Sequence, residues 1–212
     1  MNMKLNHTMD FSAVIFDEDR IYPNTFEVKI NFNINTDNPI HQNVAIQRIV
    51  FLIHEVIDKS IFINQNNPAL SKVTRLAGSN NIVVTMPDEP FDQILGIMLF
   101  HKLSVITEEK FDIDTLEICG GDTGELRYIV DDFTEFPITM GKYSAPYWWD
   151  RSDLTVSENK KSPLYKVTWE TINLGWDETD ELVFEPELAS EESTIHILDG
   201  GEDIDGVESD ES

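Results

Sequence analysis

The sequence predicts an α+β domain: a two-layer, mainly antiparallel sheet in the order ββαβαββ, covered by two helices, then an aromatic-rich β extension and a disordered acidic C-terminal tail. Three observations predict it. Residues 26–34 alternate apolar and polar side chains, residues 46–57 repeat apolar side chains at helical spacing, and residues 177–212 hold fifteen Asp and Glu with no Lys or Arg. A strand with one wet face belongs to an antiparallel sheet, because parallel strands are usually covered on both sides.

In chain order, residues 1–10 read as a flexible N-terminus and Phe11–Phe16 as a first strand, ended by Asp17-Glu18-Asp19 and a turn near Pro23-Asn24. Phe26, Val28, Ile30, Phe32 and Ile34 then alternate with Glu27, Lys29, Asn31 and Asn33, the period-2 pattern of a half-buried strand. Asp37-Asn38-Pro39 supplies a helix cap with Pro in the first turn. Ile46, Ile49, Val50, Ile53, Val56 and Ile57 follow as one apolar stripe. After a polar loop over 64–68, Ile82-Val83-Val84 reads as a strand, and Asp88-Glu89-Pro90 caps a second helix carrying Phe91, Ile94, Leu95 and Met98. Phe111–Ile118 and Glu125–Val130 form a hairpin closed through Gly120-Gly121-Asp122-Thr123-Gly124. Residues 11–132 are thus the core domain. Residues 133–176 contain nine of the 21 aromatics and all four Trp, with Tyr165, Val167 and Trp169 alternating as a further strand; this is the extension expected to pack on the core.

A formal net charge of −25 bounds the function. A tail this acidic repels itself and buries too little apolar surface to offset ordering, so disorder is expected over 177–212. Such a charge disfavours nucleic acid and anionic membrane and favours a basic protein surface. The basic residues are scattered, with only Lys160 and Lys161 adjacent, so no stripe exists to follow a phosphate backbone. Cys119 is alone, no secretory signal opens the chain, and no apolar stretch could span a bilayer. A cytoplasmic setting follows, in a cell or an infected host; the many Asn and Ile fit an AT-rich genome such as those of many phages.

Several patterns touch on chemistry. Ala13-Val14-Ile15-Phe16-Asp17-Glu18-Asp19, a hydrophobic strand ending in Asp-x-Asp, resembles the first motif of haloacid-dehalogenase-type phosphatases. Ile82-Val83-Val84-Thr85 and Gly121-Asp122 resemble that family's later motifs. The resemblance implies a buried parallel sheet and a Mg²⁺-dependent phosphohydrolase, with Asp17 as nucleophile and Asp19 as acid/base. Arg20-Ile21 departs from the family's Gly-Thr, and a one-sided strand follows where a cap or helix belongs. His54-Glu55 lacks the second His at position 58 that a zinc protease needs, since Asp58 stands there. An EF-hand loop starting at Asp199 would need Gly at 204 and Glu at 210, where Ile and Asp stand.

The reading reached is a non-enzymatic acidic interaction protein with no cofactor and no resident metal. It binds a basic partner in an accessory, inhibitory or nucleic-acid-mimic role. Tyr147, Trp148 and Trp149 are the expected packing contacts, because adjacent Trps on an extended segment face opposite ways and one of them should be partly exposed. Asp199, Glu202, Asp203 and Asp205 are the expected steering charges. A structural component of a larger particle, adding a strand to a neighbour's sheet edge, is a further alternative.

Overall fold

The computed structural model describes residues 3–18, 20–78, 81–121, 124, 126–135, 147–158 and 162–176. The chain divides into two units, Met1–Leu182 and Val183–Ser212, and every described residue belongs to the first. The acidic tail expected over 177–212 therefore lies outside the described residues, as does Asp19.

The elements run β1 (Met3–Asp17), β2 (Arg20–Ile34), α1 (Pro39–Phe51), β3 (Ser60–Asn64), α2 (Leu70–Ala77), β4 (Val83–Met86), α3 (Asp92–Ile106), β5 (Phe111–Gly120) and β6 (Tyr128–Val130). All six strands join one mixed sheet in the order β4-β3-β1-β2-β5-β6. β1–β2, β2–β5 and β5–β6 pair antiparallel, while β1–β3 and β3–β4 pair parallel. The α+β class stands. The antiparallel ββαβαββ arrangement is corrected to ββαβαβαββ with a parallel end.

The first correction lies at the N-terminus. Residues 3–10, expected to be flexible, continue β1 and pair with β2 from Met3↔Ile34 to Asp17↔Arg20. Leu5 and Met9 turn toward the core while Lys4, Asn6, Thr8 and Asp10 are exposed, so the alternation continues in weaker residues. The second correction is the addition of β3 and α2. Phe62, Val84 and Met86 face the main core, and Ile63 and Val83 lie on the reverse face, where α2 covers them with Leu70, Val73 and Ala77. Strands covered on both faces carry no alternation to read.

α1 begins as its cap predicts: Asn38 Oδ1 accepts from Ile40 N at 2.9 Å, with Pro39 in the first turn. It then widens into a π-helical stretch, Leu52–Ile57, closed by Asp58 N donating to Ile53 O at 2.8 Å. The wider turn buries Leu52, Ile53, Val56 and Ile57 completely while His54 and Glu55 stay exposed. α3 is buried nearly all round, between the sheet and the segment 147–154. Gly96 permits its close approach to β5 and β6, since a Cβ there would lie 2.9 Å from the Ile118 side chain. Its start is also corrected: Phe91, expected on the apolar face, is 59% exposed. The helix opens at Asp92, whose carboxylate accepts from Gly120 N at 2.7 Å.

The extension differs most from expectation. No described residue of 147–176 belongs to a strand. The segment forms short 3-10 turns at Trp148–Asp150, Pro163–Lys166 and Glu170–Ile172. Ser162-Pro163 starts the second turn, with Ser162 Oγ accepting from Leu164 N at 3.4 Å, and this overrides the alternation of Tyr165, Val167 and Trp169. Among the described residues no helix is long and apolar enough to cross a membrane.

Candidate functional site

The aromatic segment is fastened to the body by two buried cations. Lys102, on α3 and fully buried, donates through Nζ to Trp148 O (3.0 Å), Arg151 O (2.7 Å) and Asp153 O (2.5 Å). Three N–H donors meet three carbonyls, which a protonated lysine alone can supply. Burial pushes its pKa down to about 7, while Asp153, its nearest carboxylate at 3.8 Å, pulls the other way. Arg48, on α1 and 1% exposed, donates from Nε to Leu174 O (2.8 Å) and from a terminal nitrogen to Ile106 O (3.1 Å) and Glu108 Oε1 (2.8 Å). Its guanidinium lies 4.0 Å from the Trp176 ring centroid and 4.8 Å from that of Trp169. Burial lowers its pKa and the Glu108 carboxylate opposes that shift.

These clasps lay residues 147–157 along the outer edge of the sheet. β4 is an edge strand, and Thr85 points its backbone outward: its N–H donates to Val156 O (3.1 Å), and its carbonyl accepts from the Trp148 indole (2.8 Å). Beside that cap the edge opens into a groove of about 1180 Å³. Val83 and Thr85 form its floor, Leu70, Lys72 and Arg75 of α2 one wall, and Ser157, Glu158, Ser162 and Pro163 the other. Backbone direction alternates along a strand, so Val83 turns its N–H and C=O the same way as Thr85, toward the groove. The Thr85 hydroxyl is buried with no hydrogen-bond partner among the described residues.

Eight of the twelve described Lys and Arg pair with a carboxylate, and of the four that do not, Lys72, Arg75, Lys110 and Lys166, two lie on the groove. Lys4, Arg20, Lys29, Lys59, Arg127 and Arg151 each pair with a carboxylate, as do the two clasp cations. Lys72 and Arg75 have no such pair among the described residues, and both are exposed. The one carboxylate among the described residues of the groove, Glu158, is engaged by Arg151 (3.3 Å) and Trp148 N (3.1 Å).

The structure places the sequence-predicted residues as follows. Trp148 and Trp149 are 1% and 2% exposed, so the expectation of a partly exposed Trp is corrected: the pair sits on a 3-10 turn, where both rings fold inward. Tyr147, half-buried, stacks on Trp149 with centroids 4.4 Å apart. Asp17 ends β1, largely buried, with its carboxylate paired to Arg20 across a tight hairpin. A phosphatase-type motif calls for a strand leading into a loop or helix; here an antiparallel strand follows at once. Among the described residues no three His, Cys, Asp or Glu gather as a metal site. Asp19, Asp199, Glu202, Asp203 and Asp205 lie outside the described residues. Lys102 escaped the sequence reading although it carried a signal, being the sole Lys or Arg in the apolar run of α3. Lys72 and Arg75 carried none.

No protein-family profile matches this chain, and no curated protein does. Two solved structures resemble its backbone. An uncharacterized protein, WS1659 from Wolinella succinogenes, aligns at 13% identity with a TM-score of 0.45, over 62% of this chain and 99% of that one. A catalytic-residue mutant of 6-pyruvoyltetrahydropterin synthase from Plasmodium vivax aligns at 9% identity with a TM-score of 0.36, over 61% and 97%. At these scores neither likeness bears on what this chain binds.

Proposed function

We propose that this chain is a non-enzymatic interaction protein that binds a basic protein surface in the cytoplasm, as an accessory, inhibitory or nucleic-acid-mimicking component. One observation carries the reading. Forty Asp and Glu face fifteen Lys and Arg, and in the described body most of the cations are already paired with carboxylates or buried. The surface left over is acidic, and a field of that sign speeds encounter with basic partners. Asp199, Glu202, Asp203 and Asp205 add to that steering. Of the three aromatics expected as contacts, Tyr147 keeps area for a partner, and buried Trp148 and Trp149 support it from beneath.

The test is affinity capture on immobilised full-length protein, eluted by a salt gradient. A variant with Asp199→Asn, Glu202→Gln, Asp203→Asn and Asp205→Asn runs beside it. Basic proteins should be retained, should elute as salt rises, and should be held less well by the variant. Retention that ignores salt, or only of proteins that are not basic, overturns the reading.

A further inference from the structure

We propose that the groove beside β4 is a strand-docking site for an extended segment of a partner protein, which adds to the sheet at Val83 and carries an acidic side chain that reaches Lys72 and Arg75. The proposal rests on the interaction reading above and names where the partner's chain would lie.

Three observations converge on it. First, this edge already accepts extended backbone, because Val156 O takes the Thr85 N–H in the way a neighbouring strand would. That cap does not continue to Val83, whose outward N–H and C=O face the groove with no partner on that side among the described residues. An exposed sheet edge is a template for strand addition, in which main-chain hydrogen bonds give affinity and flanking pockets give selectivity. Second, Thr85, on the groove floor, keeps a buried hydroxyl with no hydrogen-bond partner among the described residues. Third, the charge is complementary to one occupant. In a chain of net charge −25, Lys72 and Arg75 stand on one wall of the groove without carboxylate partners among the described residues, and Glu158 opposite is already held by Arg151. At physiological salt the screening length is about 8 Å, so a bound carboxylate responds to these two cations more than to acids farther off. A volume of about 1180 Å³ exceeds the range usual for a small-molecule site and suits several residues of extended chain.

α2 holds this wall in place. Its inner stripe of Leu70, Val73 and Ala77 packs on Ile63 and Val83, and that leaves Lys72 and Arg75 on the groove side. Gly78 ends the helix with φ +63°, a conformation that favours glycine.

The test displays random twelve-residue peptides against immobilised full-length protein and repeats the selection on a Lys72→Glu, Arg75→Glu variant. Both changes are exposed, and a thermal melt checks that the variant folds. Enriched peptides should alternate β-forming residues around at least one Asp or Glu, and the variant should bind them at least tenfold more weakly. In amide exchange by NMR, the strongest such peptide should slow the Val83 N–H at least tenfold. Failure to enrich any peptide, enrichment that the variant retains, or protection that spares Val83 each overturns the proposal. So does a concentration-dependent dimer that the variant abolishes, for then a second copy occupies the edge. If the variant captures basic proteins normally while its peptide binding is unchanged from the parent, the groove inference fails and the interaction reading survives.

Discussion

Lys102 and Arg48 hold the two ends of the same aromatic segment, and they do so by different means. Lys102 grips residues 148–153 through three backbone carbonyls. Arg48 grips residues 169–176 through one carbonyl, Leu174 O, and two indole faces, while its other bonds go to Ile106 and Glu108. An ammonium is a compact charge with three divergent donors, and a guanidinium is a flat fork that stacks on rings. Each side chain carries a single positive charge when protonated, so shape decides which cation each site takes. Neither cation can be given up cheaply, because each leaves buried carbonyls without a donor.

The largest effect expected from breaking this comparison is at Lys102. Lys102→Met keeps the length and apolar bulk of the stem but leaves three carbonyls unanswered. Removing one side of a buried charged network costs about 3–5 kcal/mol. Urea unfolding should show that loss, and a cost under about 1 kcal/mol would mean that water replaces the ammonium. Arg48→Lys comes next. It keeps the charge but loses the Nε bond to Leu174 O and the flat contact with Trp169 and Trp176. About 2 kcal/mol is expected from one charged hydrogen bond plus the stacking, with a shift in Trp emission as the ring of Trp176 is released. If Arg48→Lys is silent, shape is not what distinguishes the clasps.

The clasps also mark where sequence reading runs out. Residues 26–34 of β2, the Asn38 cap and the β5–β6 pairing were legible as local patterns, whereas the turn expected near Pro23-Asn24 is corrected, since Pro23 and Asn24 lie inside β2, paired with Val14 and Ala13. β3 was not legible. Ile61-Phe62-Ile63 is apolar on both faces, since α2 covers the side that would otherwise be wet, and it follows so soon after the apolar helix that no period separates them. Residues 3–10 were missed for the opposite reason: His7 interrupts the inward row between Leu5 and Met9. Trp148 and Trp149 were legible as important and illegible as buried, because what turns both inward is a 3-10 turn anchored by a lysine 46 residues earlier. The groove was equally hidden. It needs an edge strand, a short helix and a distant cap to meet, and no window of sequence contains all three.

The third prediction concerns pH and separates the two cations cleanly. Burial holds Lys102 near 7, well below its ordinary 10.5, whereas Arg48, though lowered, starts from the much higher range of a guanidinium. Between about pH 7 and 10.5 the unfolded chain binds more protons at Lys102 than the folded one, so this residue makes stability rise with pH across that window. Below about 7 the cost of charging it in the interior is fully present. The slope can reach about 1.4 kcal/mol per pH unit. Unfolding free energies from pH 7 to 9 should therefore climb in the parent relative to Lys102→Met. Parallel curves for the parent and Lys102→Met would show that the three carbonyls restore the ordinary pKa.

The smallest effects are expected at the carboxylates, and they decide what kind of bond the clasps are. Asp153 stands 3.8 Å from Lys102 and its side chain is 49% exposed; Glu108 stands 2.8 Å from Arg48 and is 41% exposed. Pairs that reach water this freely contribute about 0–1 kcal/mol. Glu108→Gln should fall in that range, because an amide oxygen still accepts from the guanidinium. Asp153→Asn should cost somewhat more. Burial alone would raise that carboxyl, yet it is held below the ordinary Asp range by hydrogen bonds from Thr155, with Lys102 and Arg151 adding to them. Its contribution is thus present above the usual Asp pKa and is lost as pH falls through the lowered folded value. A double-mutant cycle of Lys102→Met with Asp153→Asn measures the pair directly. Coupling under about 1 kcal/mol, set against a larger single cost for Lys102→Met, assigns the grip to the carbonyls; coupling that matches the single cost would make it an ion pair after all.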